Sequence, residues 1–143
     1  MTLLETIVML AVVGIVLAAV FPAFTVTPFN LGADLQDFAA NLQVAREYAI
    51  SRGEHYRIRV LNSTAPYQYV LEGFAGGTWS TERTITLRQN VQFTSATLGS
   101  TAEFDTRGLL VSTAPPATFV LQDAVRGWTK QVTVDAVGMV DHT

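Results

Sequence analysis

Residues 7–24 read IVMLAVVGIVLAAVFPAF, eighteen positions without a charge. A helix built from them is apolar on every side rather than along one stripe, and such a surface needs lipid or other protein around it. At about 1.5 Å per residue the run makes roughly 27 Å of helix, close to the hydrocarbon thickness of about 30 Å in a bilayer. A membrane span is therefore physically credible.

Outward from that run the chain changes character once. Glu5 is the only charged residue ahead of Asp34, and every other Lys, Arg, Asp and Glu lies in residues 34–143. The 143 residues suit one domain, and a net charge of −3 gives no overall basic field for a nucleic-acid backbone. Without cysteine there is no disulfide, thiolate metal site or Cys nucleophile, so stability rests on packing. A cleaved signal peptide is disfavoured: no Lys or Arg precedes the run, and its exit, Phe21-Pro22-Ala23-Phe24, lacks a small-residue cleavage pattern. A plain single-span anchor explains the hydrophobicity but not Glu5, since a carboxylate at a lipid edge needs a partner.

Pro22 removes a backbone donor and crowds the preceding turn, so the helix is expected to kink or stretch at residues 18–21. Pro28 marks a second expected break. After it Leu31, Leu35, Phe38, Leu42, Ala45 and Ala49 repeat at intervals of four and three, one apolar stripe on a polar helix that Gly53 closes. Asp34, Asp37, Gln43, Arg46, Glu47 and Arg52 lie off the stripe and read as a solvated face. From residue 55 the texture is all-β. Short runs stand at Tyr56–Leu61, Tyr69–Glu72, Thr84–Leu87, Val91–Phe93, Ala102–Phe104, Thr118–Leu121 and Gln131–Val134, with turn residues such as Gly76-Gly77 and Arg126-Gly127 between them. The division is residues 1–30 as the hydrophobic helix, 31–53 as the amphipathic helix, and 54–143 as the β-rich domain.

Catalysis finds no support. His55 and His142 stand at a strand start and at the tail, and neither lies in a triad or zinc signature. Glu103 and Asp105 at a strand end read as solvated carboxylates, and Asp135 with Asp141 lacks the ligand density of a calcium loop. No metal or cofactor is expected. Asn62-Ser63-Thr64 is formally a glycosylation sequon, a tripeptide that also arises by chance. Arg126, Trp128 and Lys130 form the nearest thing to a basic-aromatic cluster for DNA, although a loop whose Trp packs down is the favoured reading.

MTLLETIVMLAVVGIVLAAVFP, residues 1–22, resembles the mature N-terminus of the type IV pilin family, including the pseudopilins of type II secretion. In that family a prepilin peptidase cuts after a Gly and the new N-terminus, usually Phe, is N-methylated; Met1 stands at that place here, so the resemblance implies N-methylmethionine. Gly14 and Pro22 match the family's helix-weakening residues. In this setting Glu5 is tolerable among apolar helices when it pairs with a cation such as a neighbouring subunit's N-terminal amine, and it then pins register. The alternative is a carboxylate resting at the headgroup boundary.

NLQVAREYAISRGEHYRIRV, residues 41–60, resembles the helix-to-strand junction of the H-type pseudopilins and FimT-like minor pilins. FDTRGLLVSTAPPATFVL and KQVTVDAVGMV resemble that group's strand, Asp-x-x-Gly turn and closing strands. The implied fold is an α+β lollipop: a long N-terminal helix, kinked near Pro22 and Pro28, packed on an antiparallel sheet or sandwich domain. FimT-like pilins take up DNA through a basic C-terminal motif, whereas this tail reads VGMVDHT with an acid in that place, so the role is not carried over.

The resemblance implies a non-enzymatic filament subunit that waits in the inner membrane and then joins a periplasmic or extracellular pilus or pseudopilus. Its partners would be copies of itself and other pilins, an inner-membrane assembly platform with a separate ATPase, and the prepilin peptidase. The filament would serve motility, adhesion, DNA uptake or type II secretion. The competing class is a membrane-tethered module that captures DNA or a partner protein without polymerising.

Overall fold

The computed structural model describes residues 2–20, 27–61, 64–97, 99–111 and 116–143, and in the two helices it describes side chains at 3–15 and 30–52. Met1, Pro22 and the Asn62-Ser63 pair of the sequon lie outside the described residues. The first helix, α1, is Leu3–Val20. Its large apolar side chains from Leu3 to Ile15 are exposed in every direction, as a sequence without a stripe requires. Among the described residues no helix is long and apolar enough to cross a membrane, and the run read as a span continues past Ile15 into residues whose side chains are not described.

The second helix, α2, is Thr27–Arg52. Pro28 sits in its first turn, where the missing N–H has no helical partner to lose, so the helix begins just before this proline rather than after it. The stripe is buried throughout, from Leu31 to Ala49. Gly53 ends the helix with φ of +66° and donates its N–H to the Ala49 carbonyl at 3.1 Å.

Two four-stranded antiparallel sheets receive that stripe. The first is ordered β3-β2-β1-β5, with β1 His55–Val60, β2 Gln68–Ala75, β3 Thr78–Thr86 and β5 Thr101–Phe104. The second is ordered β4-β6-β7-β8, with β4 Val91–Phe93, β6 Ala117–Asp123, β7 Thr129–Val134 and β8 Val140–His142. In β1 the alternation places Tyr56, Ile58 and Val60 in the core and Arg57 and Arg59 outside, as period two dictates. Phe38 joins the three layers: its ring meets Tyr69 of the first sheet at 4.8 Å, and Phe93 and Phe119 of the second at 5.5 and 5.1 Å, all edge-on.

Two strands depart from the reading. β3 spans nine residues, far more than Thr84–Leu87, because it is an edge strand exposed on both faces and shows no alternation. It is held by hairpin pairing to β2 across a bulge at Leu71/Glu72. β8 is three residues long and exposed at two of them, too short to announce itself by pattern.

The solvated face of α2 also needs correction. Asp37, Gln43, Glu47 and Arg52 are exposed, but Asp34 is buried and Arg46 half-buried. Asp34 faces the β3–β4 connection, where it accepts the Arg88 backbone N–H at 2.8 Å and pairs with the Arg88 guanidinium, which also reaches Asp37 at 2.9 Å. Burial pushes the Asp34 carboxyl up and the bonds from Arg88 only partly oppose it.

Candidate assembly site

Glu5 begins α1 in a recognisable local role. Thr2 precedes the helix, its carbonyl accepts the Glu5 and Thr6 N–H groups at 3.0 and 3.3 Å, and its own N–H donates to Glu5 Oε2 at 3.4 Å. This is the reaching-back half of a Thr-x-x-Glu capping box, and it sets the carboxylate over the positive end of the helix. The carboxylate is exposed in the single chain, in the first turn of α1. Gly14 lies inside α1 with open space around it, so no close packing among the described residues demands a glycine there.

At the far end of the domain two Asp-x-x-Gly turns repeat one geometry. In residues 105–109 Asp105 donates its backbone N–H to the Leu109 carbonyl at 2.9 Å, its own carbonyl accepts the Gly108 N–H at 2.8 Å, and Oδ1 accepts the Leu109 N–H at 2.9 Å. In residues 135–139 the Met139 carbonyl takes the Asp135 N–H at 3.0 Å, and Asp135 Oδ1 takes the Met139 N–H at 2.7 Å. Leu110 N–H to Ala136 O at 3.2 Å ties the turns together. Arg46 of α2 donates to the Gly108 carbonyl at 3.1 Å and to the Val137 carbonyl at 3.2 Å, clamping both.

Asp105 is therefore a turn cap rather than a merely solvated carboxylate. Partial burial works upward on it, but the amides of Leu109 and Arg107 and the Arg107 side chain outweigh this and hold it below the usual aspartate range. Its neighbour Glu103 pairs with His55 at 2.8 Å.

The outer face of the first sheet carries a polar network that single-chain periodicity does not reveal. Glu72 of β2 is buried between Arg57 (2.5 Å) and Arg59 (2.6 Å) of β1. Donation from Arg59 holds its carboxyl low against the opposing effect of burial, with Arg57 adding to the depression. Arg57 also lies 3.9 Å over the Trp79 ring, and Trp79 packs on Phe74. The signal available in sequence was the alternation of Arg57 and Arg59; the partner emerges only from the register Arg57↔Glu72.

The three candidate DNA residues lie on the β6–β7 hairpin. Asp123 closes its tip: Oδ1 accepts the Val125 and Arg126 N–H groups at 2.8 and 3.0 Å, and its N–H donates to Trp128 O at 2.8 Å. The expectation that Trp128 packs down is overturned, for Trp128 is 55% exposed with the Arg126 guanidinium 5.1 Å from its ring centre. The reason is position: the inward row of β6 ends at Asp123, and the hairpin extends beyond the core. Lys130 is exposed two residues further along, in β7 opposite Leu121. Among the described residues no three His, Cys, Asp or Glu side chains gather as a metal site.

The type II transport protein GspH family matches residues 34–138. Among solved structures, the type IV minor pilin FimU of Pseudomonas aeruginosa superposes with a TM-score of 0.66 at 17% identity, covering 82% of this chain and 91% of that one. The minor pseudopilin EpsH of the Vibrio cholerae type 2 secretion system gives a TM-score of 0.59 at 16% identity, covering 80% and 96%. Comparison with curated proteins gives no match. A helix laid on antiparallel sheets is thus shared with both neighbours, and the chain belongs to the type II transport protein GspH family.

Proposed function

We propose that this chain is a minor subunit of a type IV pilus or type II secretion pseudopilus. The family is one of structural subunits rather than enzymes. The observation that carries the reading is α1, a helix apolar on all sides whose only charge is Glu5. Such a helix exchanges lipid for neighbouring helices when it enters a filament, so packing and ion pairing decide register. Residues 7–24 hold the chain in the inner membrane before assembly, and the domain from α2 onward coats the polymer. Glu5 serves as the register pin against the N-terminal amine of a neighbouring subunit. A separate ATPase and assembly platform drive polymerisation, and the prepilin peptidase prepares the N-terminus. Secretion is the favoured task, from the GspH match.

Glu5→Ala tests the reading. The variant should enter the inner membrane normally and be lost from sheared filaments, whereas unchanged filament incorporation would remove Glu5 from assembly. Partner capture that persists without any filament would favour a tethered binding module instead.

A further inference from the structure

The β6–β7 hairpin tip carries its apolar side chains outward, with Val125 69% exposed beside the exposed Trp128. A chain of contacts fixes its place. Asp34, near the start of the buried stripe of α2, binds Arg88; Asn90 accepts the Ala124 N–H at 2.8 Å; Val91 is the register partner of Asp123. The tip therefore lies at the end of the domain where α2 begins, the end joined to the apolar run. Pro66, Tyr67 and Leu87 line a groove at the same end that reaches Ala124 and continues the apolar surface. Seven residues of chain from Phe24 to Leu31 reach at most about 25 Å, so a bilayer that holds the run has its surface near this end.

The residue types fit that surface. Tryptophan has an apolar body and an N–H that suit the headgroup level, and Val125 adds area to be taken from water. Arg126, stacked over Trp128, and Lys130 bring positive charge opposite lipid phosphates. At this end Asp34 and Asp37 bind Arg88, and Asp123 is buried with Oδ1 on the tip's own amides.

We infer that the tip is an interfacial anchor. Before assembly Trp128 and Val125 enter the headgroup layer of an anionic bilayer while Arg126 and Lys130 meet its phosphates, so the domain rests on the membrane and is peeled off when the subunit joins a filament. This rests on residues 7–24 being the membrane anchor.

The test uses the full chain in vesicles of phosphatidylethanolamine and phosphatidylglycerol. The sequence has two tryptophans, so Trp79→Phe leaves Trp128 as the single reporter. Its emission should shift to the blue and be quenched by brominated acyl chains, and Arg126→Gln with Lys130→Gln should lose most of that quenching. Val125→Cys, in a chain without native cysteine, gives the same readout through a polarity-sensitive label should the tryptophan variant fold poorly. A chain that floats with vesicles while both reporters stay in water overturns the anchor alone. A chain that does not float overturns the membrane reading and the anchor with it. Shielding of Trp128 by added DNA but not by lipid overturns it in favour of nucleic acid.

Discussion

Gly138 sits so close to Gly108 that a Cβ on Gly138 would overlap the Gly108 carbonyl oxygen. The carbonyl is also the one that Arg46 holds, so backbone, backbone and guanidinium converge at a single point. Gly138 further has φ of +77°, which a residue with a Cβ rarely adopts. The second Asp-x-x-Gly turn can seat against the first only with a glycine there. Gly138→Ala combines that strain with a clash against backbone, and it should destabilise the domain by roughly 3 kcal/mol or more. Thermal unfolding in detergent measures this; a loss below about 1 kcal/mol would show that the turns are not packed against one another.

Arg46 clamps those turns to α2. Arg46→Ala leaves the Gly108 and Val137 carbonyls without their charged donor, and a loss of about 1–3 kcal/mol is expected. Lysine lacks the fork that bonds two carbonyls at once, so Arg46→Lys should recover only part of it. Denaturant titration of both variants distinguishes a clamp from simple helix solvation, for which neither would matter.

Glu72 makes stability depend on acid. Its folded pKa lies below its ordinary value of 4.5, so its contribution is complete above that value and is lost as pH falls through the lower, folded one. Asp34 acts oppositely: its raised pKa means that protonation on acidification favours the fold. Glu72→Gln should therefore flatten the acid-side decline in Tm, while Asp34→Asn should steepen it. Melting curves from pH 3 to pH 7 give the sign of each; a steeper decline in Glu72→Gln would contradict the account.

Phe38 touches both sheets from one helix, so its truncation opens all three layers. Phe38→Ala should cost about 3–5 kcal/mol, and amide exchange should rise in β2, β4 and β6 together rather than in one sheet. Exchange confined to a single sheet would mean that the sheets do not share a core.

What was legible in the sequence was what repeats. The stripe from Leu31 to Ala49 and the alternation of residues 56–60 each state a burial pattern locally, and both are buried as read. Asp34, Arg46 and Glu72 were illegible because their partners are brought by folding from distant segments. Trp128 is exposed against expectation for a related reason: hydrophobicity alone cannot show that a hairpin runs past the edge of the core. Glu5 stands out by its lone charge in an apolar run, and the Thr2-x-x-Glu5 spacing behind its bond to the Thr2 N–H is itself a signal written in the sequence.

The central claim is that this chain is built into a filament through α1. Mass spectrometry of sheared, purified filaments beside the inner-membrane fraction tests it most directly. The account predicts the chain in the filaments at a small fraction of the principal pilin; its complete absence from filaments that contain the other pilins, with the membrane pool intact, would contradict it.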